Sequence, residues 1–320
     1  AWLDLAGGRF RLTELESRAA LSDELERLRP AEIIFDEELP DGQFRENIRA
    51  VGRPPWHFDL DSATRLLCAQ FHTRDLSGFG CDVVPLGVAA AGALLQYVTD
   101  TQKTNLPHLN SVTVEQLSDA VFMDGPTRRN LELEESLTGH DDFTLAGIMD
   151  QCQSPMGSRL LKRWIQRPVR DATLLRSRYQ AVETILLGRH VEALQEMLHG
   201  IGDVERILAR VALRSARPRD LRQLAATLAR IPDLKSELKS MDSPLLTSLV
   251  EQIGDHGRQR DLLRKAIIDN PPMLIRDGGV IASGFDDELD DLRAIAENAD
   301  QYLVDLESRE KERTGISTLK

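Results

Sequence analysis

The amino-acid sequence predicts a multidomain protein in which an α/β domain precedes an all-α domain. Its 320 residues are enough for two or three domains. Strand-like and helix-like segments alternate over the first hundred residues, which indicates an α/β unit. After Val121, helix-start and helix-stop signals dominate. We predict the α/β domain at residues 1–102, a linker at 103–119 and the helical domain at 120–320.

The α/β domain is expected to open with a β-hairpin. The segments 2–5 and 9–13 flank Gly7-Gly8, a pair that is typical of tight turns. A helix is predicted from Ser17 to Leu28, and the apolar run 33–35 predicts a buried strand.

Two further helices are predicted in this domain. Asp61 or Ser62 should cap the first, and Pro85 should begin the second. The second is rich in alanine and glycine, and such small side chains predict close packing of this helix on a sheet. Residues 101–118 lose the helical period and gather asparagine, proline and serine, which indicates the linker.

The helical domain contains one helix whose start and stop are both visible in the sequence. Ser154 can cap it, Pro155 suits its first position, and Pro168 should end it. Other helices should begin at Asp171, Asp203, Pro218, Pro244 and Asp255 and end at Gly188, Pro232, Gly254 and Pro271-Pro272.

Two features near the C-terminal end differ from this pattern. Asp277-Gly278 lies between apolar runs and predicts a small β-hairpin. Residues 286–313 keep an apolar repeat of seven without glycine or proline, which predicts one long helix. At ~1.5 Å rise per residue it would be roughly 42 Å long.

The composition limits the classes of function. Forty basic and 52 acidic residues give a formal net charge of −12, which opposes non-specific attraction to phosphate. The three cysteines are odd in number and lack a CxxC spacing, so we expect no disulfide framework, no zinc site and a reducing, cytoplasmic location. We also expect no membrane span and no signal peptide.

Several strings between Thr127 and Asp171, namely TRRNLEL, TLAGIMD, SPMGSRLLKRWI and RPVRD, carry a family resemblance. In this order and spacing they resemble the opening of the core domain of the MutS family of bacterial DNA mismatch-recognition ATPases. The resemblance continues through residues 202–221, 270–293 and 310–315, and it includes FHTRDLSGFG at 71–80. It therefore covers essentially the whole chain.

The resemblance implies a fold and a role. The first domain would be a ribonuclease H-like connector, N-terminally incomplete, and the second would be the first part of the core or lever domain, ending where the clamp domain begins. The mismatch-reading, clamp and ATPase parts would lie outside the chain. The whole protein would be a homodimer that binds mismatched duplex DNA, uses ATP and Mg²⁺, and recruits MutL. The long helix would carry movement between the ATPase and the clamp.

The nucleotide and mismatch-reading motifs are not expected in this chain. No glycine is followed by lysine, so a Walker A loop is absent. The family reads mismatches with a Phe-x-Glu motif; Phe35-Asp36-Glu37 and Phe44-Arg45-Glu46 match its letters, but both fall in the α/β domain and we interpret them as coincidence. We accordingly predict no catalytic, cofactor-binding or metal-binding residue and no enzymatic activity for this chain.

Two other interpretations remain open. Asp4 and Asp36 fall on or just after predicted strands, and carboxylates at neighbouring strand ends can hold the ions of a ribonuclease H-like, metal-dependent nuclease. The chain could instead be a free-standing helical interaction module that shares ancestry with the family.

Two surfaces are candidate binding sites. The resemblance suggests that the connector contacts MutL, and we place this contact on Asp61, Arg65 and Leu66. The basic side chains Arg159, Lys162 and Arg163 are candidate phosphate contacts, although pairing with the chain's own acids is the favoured interpretation.

Overall fold

In the computed structural model, which describes residues 1–39 and 49–318, the chain forms two units. One contains residues 1–216 and 226–255, and the other contains residues 217–225 and 256–320. The motif Phe44-Arg45-Glu46 lies outside the described residues.

The secondary structure changes from mixed to helical along the chain. The first part contains β1 (Trp2–Asp4), β2 (Arg9–Leu12), α1 (Arg18–Leu28), β3 (Glu32–Asp36), β4 (Arg49–Arg53), α2 (Leu60–Phe71), α3 (Pro85–Gln102) and β5 (Thr113–Val114). It is followed by α4 (Gly125–Asn130), α5 (Leu145–Met149), α6 (Pro155–Gln166), α7 (Ala172–Leu187), α8 (Val191–His199), α9 (Val204–Ala212), α10 (Pro218–Lys239), α11 (Pro244–Gln252), α12 (Gly257–Ala266), α13 (Asp287–Glu297) and α14 (Ala299–Thr314).

The strands of the α/β part form two separate sheets. β1 and β2 make the predicted antiparallel hairpin, with Gly8 in the left-handed region at φ +64°. β5 pairs with β2 in parallel, and among the described strands β3 pairs only with β4, also in parallel. The prediction of a buried strand at 33–35 is wrong in its burial, because all the side chains of β3 are half-buried. The ribonuclease H-like detail is not confirmed by this arrangement.

The two long helices of the α/β part pack closely on each other. α2 begins at Leu60, and its cap is Asp59, whose carboxylate accepts a hydrogen bond from Ser62 N at 2.8 Å. The prediction of Asp61 or Ser62 as cap is therefore wrong by two or three positions. A Cβ added at Gly92 of α3 would lie 2.3 Å from Ala63 Cβ of α2. The small residues predicted to meet a sheet thus mainly allow this approach of helix to helix.

One apolar core joins these helices to the first sheet. It contains Phe10 and Leu12 of β2, Leu67 of α2 and Leu95 of α3. The segment 103–119, predicted as a linker, contributes Leu106, Leu109 and Val112 to the same core. Residues 106–114 of this segment are thus packed against or paired with the α/β part, while the domain boundaries themselves stay predictions.

Most predicted helix starts in the helical part are confirmed. Ser154 Oγ accepts from Gly157 N at 3.2 Å at the start of α6, and Asp171 caps α7 in the same way. Asp203 caps α9, and Pro218 and Pro244 begin α10 and α11.

Two predictions about proline and cap residues in this part are wrong. Pro232 lies inside α10, where it removes one helical N–H without ending the helix, because the residues on both sides stay helical. The residue before α12 is His256 and not Asp255.

The C-terminal region departs from two predictions. Instead of a hairpin around Asp277-Gly278, residues 275–277 form a 3₁₀ turn, and the following strand-like segment pairs with the end of α12 through Ile268 N to Val280 O at 3.1 Å. The predicted long helix is interrupted at Asn298, whose φ of −125° and ψ of 43° are not helical. Asparagine competes for backbone hydrogen bonds and is a poor interior helix residue, which explains this break.

Among the described residues, every helix is too short or too polar to cross a lipid bilayer.

Candidate functional site

The outer face of the first sheet is charged. Because side chains alternate along a strand, Leu3, Phe10 and Leu12 point into the core while their neighbours point the other way. The neighbours pair across the sheet, with Trp2 opposite Arg11 and Asp4 opposite Arg9. This face therefore presents an indole, a carboxylate and two guanidinium groups.

Helix α6 covers this face and leaves a recess of about 700 Å³ between them. The charged side chains of its wall are mostly basic. They are Arg9, Arg11, Arg27, Arg159, Lys162, Arg163, Arg167 and Arg178 against Asp4, Glu115, Asp119 and Glu134.

A first ion-pair cluster connects the sheet, α6 and α9. Arg159 binds Asp203 through both terminal nitrogens, at 2.8 and 2.6 Å, and it also contacts Glu205 at 2.8 Å. Arg9 binds Asp4 at 2.6 Å and also donates to Glu205. Glu205 thus accepts from a residue of β2 and a residue of α6.

This cluster stabilises the charged forms of its members. The hydrogen bond to Asp203 is the largest of the effects that raise the pKa of Arg159, and the same bond lowers the pKa of Asp203. Burial opposes ionisation of Glu205, but the hydrogen bonds from Arg159 and Arg9 outweigh it and lower the pKa of this carboxyl.

A second cluster surrounds Glu115, which directly follows β5 and whose side chain is only 9% exposed. Its carboxylate lies 3.0 Å from Arg167, 3.6 Å from Arg27 and 3.9 Å from Arg11. Arg167 also donates to the carbonyl of Gln116 at 2.6 Å. Buried charges of this kind are stable only when they are paired, so Glu115 holds α6 to the sheet.

Three basic side chains of the wall lack such a partner. Within the described part of the chain, Lys162, Arg163 and Arg178 have no carboxylate at ion-pair distance. Arg178 instead lies over the ring of Trp164, 3.9 Å from its centroid. The indole N–H of Trp2 is buried and has no acceptor among the described residues.

The three candidate phosphate contacts therefore differ from one another. Arg159 is held by two carboxylates, which is the intramolecular pairing that the sequence favoured. Lys162 is exposed, and Arg163 is half-buried in the recess. A contact of these residues with phosphate stays a prediction.

The candidate MutL contact lies on α2. Asp61 and Arg65 are exposed, and Arg65 donates to Ser62 Oγ at 2.9 Å. Leu66 is half-buried and packs against the core. Arg65 and Leu66 line a shallow groove together with Trp56, a residue that is 70% exposed.

The residues of the nuclease interpretation do not meet. Asp4 belongs to the first sheet and accepts hydrogen bonds from Arg9 and from Gly7 N at 2.9 Å. Asp36 belongs to the second sheet and accepts from Glu38 N at 3.0 Å. The premise of carboxylates at neighbouring strand ends is therefore wrong. The described residues also contain no cluster of three metal-binding side chains.

Sequence reasoning missed the roles of Trp2, Arg9 and Glu115 in this recess. The alternation of apolar and polar letters in WLDL and RFRL was visible and implies a sheet with a polar outer face. That helix α6 would cover this face is a tertiary fact with no local signal.

Comparison with protein-family models gives two matches. The model of MutS domain II matches residues 1–110, and the model of MutS domain III matches residues 126–314. The second match alone spans more than half of the chain. The two matched segments contribute opposite walls of the recess, since β1 and β2 lie in one and α6 in the other.

Proposed function

The chain belongs to the MutS family, and from this premise we propose that it acts in DNA mismatch repair as a connector joined to a lever. In this role it would pass movement between an ATPase domain on one side and the clamp and mismatch-reading domains on the other. We propose no catalytic role for its own residues. ATP and Mg²⁺, mismatched duplex DNA, a second copy of the protein and a cytoplasmic location belong to the proposed whole protein.

The observation that carries this proposal is the ion-pair network between the two family segments. Arg9 lies in the segment similar to domain II, and its partner Glu205 lies in the segment similar to domain III. Transmission of movement requires elements that are firmly joined, because a loose joint absorbs displacement. Half-buried, hydrogen-bonded ion pairs provide such a joint, since breaking one leaves a charge without its partner.

The test is made in the full-length protein that carries this chain together with its ATPase. Arg9→Gln should slow the ATP-induced release of mismatched duplex by about tenfold, a coupling change of about 1.4 kcal/mol, while the rate of ATP hydrolysis stays unchanged. Arg74→Gln is the matched control, because Arg74 is an exposed arginine of the same domain outside the network. Unaltered release in Arg9→Gln would refute the coupling role.

A second proposal concerns the outer side of α2, where the groove beside the exposed Trp56 supports a contact with MutL. Asp61, Arg65 and Leu66 would contribute to it, because a half-buried apolar side chain ringed by exposed charges is a common interface pattern. Arg65→Glu should weaken recruitment of MutL to DNA-bound protein at least tenfold, and Arg74→Glu should leave it intact. Equal recruitment by both variants would remove this surface from consideration.

The alternative proposal is that the chain is a free-standing helical interaction module of the same ancestry. The two proposals differ in what the gene encodes, since only a mismatch repair ATPase needs a Walker A motif downstream of Lys320. Finding that motif in the same reading frame would exclude the module.

A further inference from the structure

We propose that the recess between the first sheet and α6 binds a small anion that carries several phosphate charges, with Arg163, Lys162 and Arg178 as its cationic ligands. The inference goes beyond the proposed function, because neither the transmission of movement nor the contact with MutL requires a ligand in this recess.

The surroundings of Arg163 are the main argument. Burial, and after it the repulsion of Arg9, lowers the pKa of Arg163, and Arg159 adds to this repulsion. Asp4 and Glu205 attract Arg163, but their oxygens already accept hydrogen bonds from Arg9 and Arg159. A half-buried guanidinium group without a hydrogen-bonded acceptor is unfavourable, and a bound oxyanion would supply that acceptor.

Other unused donors line the same recess. Lys162 is exposed and interacts with Asp150 only at longer range. Arg178 is held against Trp164 by the face of the ring, which fixes its position and leaves the edges of its guanidinium group available.

The size and the charge of the site favour a small ligand. A recess of about 700 Å³ lies within the usual range for small-molecule sites. One guanidinium group can donate two parallel hydrogen bonds to two oxygens of a phosphate group. Several cations together favour a ligand with more than one negative charge. A duplex would contact an open basic surface, and the net charge of −12 opposes its approach to the rest of the molecule.

Calorimetric titration of the 320-residue chain with inorganic pyrophosphate tests the proposal. We expect one saturable site, with a dissociation constant raised at least tenfold in Arg163→Gln and several-fold in Lys162→Gln. Orthophosphate should bind at least tenfold more weakly than pyrophosphate, because it carries less charge. Arg176→Gln is the matched control, since Arg176 is an exposed residue of α7 outside the recess, and it should bind like the unaltered chain.

Three outcomes would overturn the proposal. They are the absence of saturable binding, equal weakening in Arg163→Gln and Arg176→Gln, and binding of a duplex oligonucleotide but not of pyrophosphate. Circular dichroism and thermal melting of each variant show whether it is folded. If Arg163→Gln does not fold, Lys162→Gln decides the matter alone, because Lys162 is exposed and unpaired in the described structure.

Discussion

The α/β part and the helix α7 bury their apolar side chains in different ways. In the α/β part, side chains of β2, α2, α3 and the segment 103–119 converge on one continuous core. On α7, only Ala181 is buried, and Tyr179, Val182, Leu186 and Leu187 are exposed. The first arrangement is stable through its own packing, whereas the second leaves an apolar face uncovered. The comparison teaches that α7 is anchored through a small apolar cluster, Ala181 with Met241 and Leu246, whereas the α/β part shares one large core.

The largest loss of stability is expected when a side chain of the continuous core is truncated. Leu67→Ala should lower the free energy of unfolding by about 3 kcal/mol, because Leu67 is fully buried and the truncation leaves a cavity. Urea denaturation followed by tryptophan fluorescence measures it. The control Leu186→Ala truncates the same side chain at 60% exposure and should cost less than about 1 kcal/mol. If both variants lost the same free energy of unfolding, the two regions would not differ in how much their apolar side chains contribute to stability.

Close packing inside the α/β part gives the next effect. Gly92→Ala should cost about 2 kcal/mol, since the new methyl group would overlap Ala63 and force α2 and α3 apart. The double variant with Ala63→Gly should recover part of this loss in the same denaturation experiment. Gly78→Ala is the control, because a Cβ there meets nothing within 4 Å. A fully stable Gly92→Ala would show that the two helices separate without penalty.

Breaking an ion pair of the helical part is expected to have a smaller and pH-dependent effect. Asp203 and Glu205 have lowered pKa values in the folded chain, so their contribution is present above their unfolded pKa of about 4 and is lost as the pH falls through the lower folded values. Arg159→Gln should therefore cost about 1.5 kcal/mol at neutral pH.

Melting temperatures at neutral and acidic pH measure this prediction. The difference in melting temperature between Arg159→Gln and the unaltered chain should become smaller at acidic pH. The control Arg176→Gln should melt at the same temperature as the unaltered chain at either pH. A difference in melting temperature that does not depend on pH would mean that Arg159 stabilises the fold through packing and not through its charge.

The smallest effect concerns the break between α13 and α14. Asn298→Ala should add about 0.5 kcal/mol to the local stability of the helix, because alanine lacks the competing side-chain amide. Far-ultraviolet circular dichroism should show a gain in helix. Asn270→Ala, which lies outside any helix, should show none. If Asn298→Ala shows no gain in helix content, the break between α13 and α14 is caused by the surrounding packing and not by the asparagine side chain.

The sequence predicted what local chemistry determines. Ser154, Asp171 and Asp203 were identified as caps because a short polar side chain before a helix satisfies free backbone N–H groups wherever it occurs. The order of an α/β part before a helical part followed from hydrophobic periodicity. Both signals are readable within a few residues.

The features that depend on distant contacts were not predictable. The sequence predicts a helix end at Pro232, but α10 continues past this residue. It also predicts a hairpin at Asp277-Gly278, but the segment after this pair forms backbone hydrogen bonds with the end of α12 instead. The ion pairs at the recess, Glu115 with Arg167 and Arg9 with Glu205, join residues that are far apart in the sequence. No spacing in the sequence reveals them. The motif strings identified the family, but they did not identify these contacts.

The approach of Gly92 to Ala63 has a consequence for the surfaces on either side of it. α2 packs on α3, and the Cβ of Leu12 in β2 lies 3.5 Å, an ordinary van der Waals distance, from the position that a Cβ of Gly87 in α3 would take. Closely packed interiors are hardly compressible, so we expect α2, α3 and β2 to move together. A partner that binds at Arg65 of α2 is then expected to shift β2 as well, and with it one wall of the recess between the first sheet and α6.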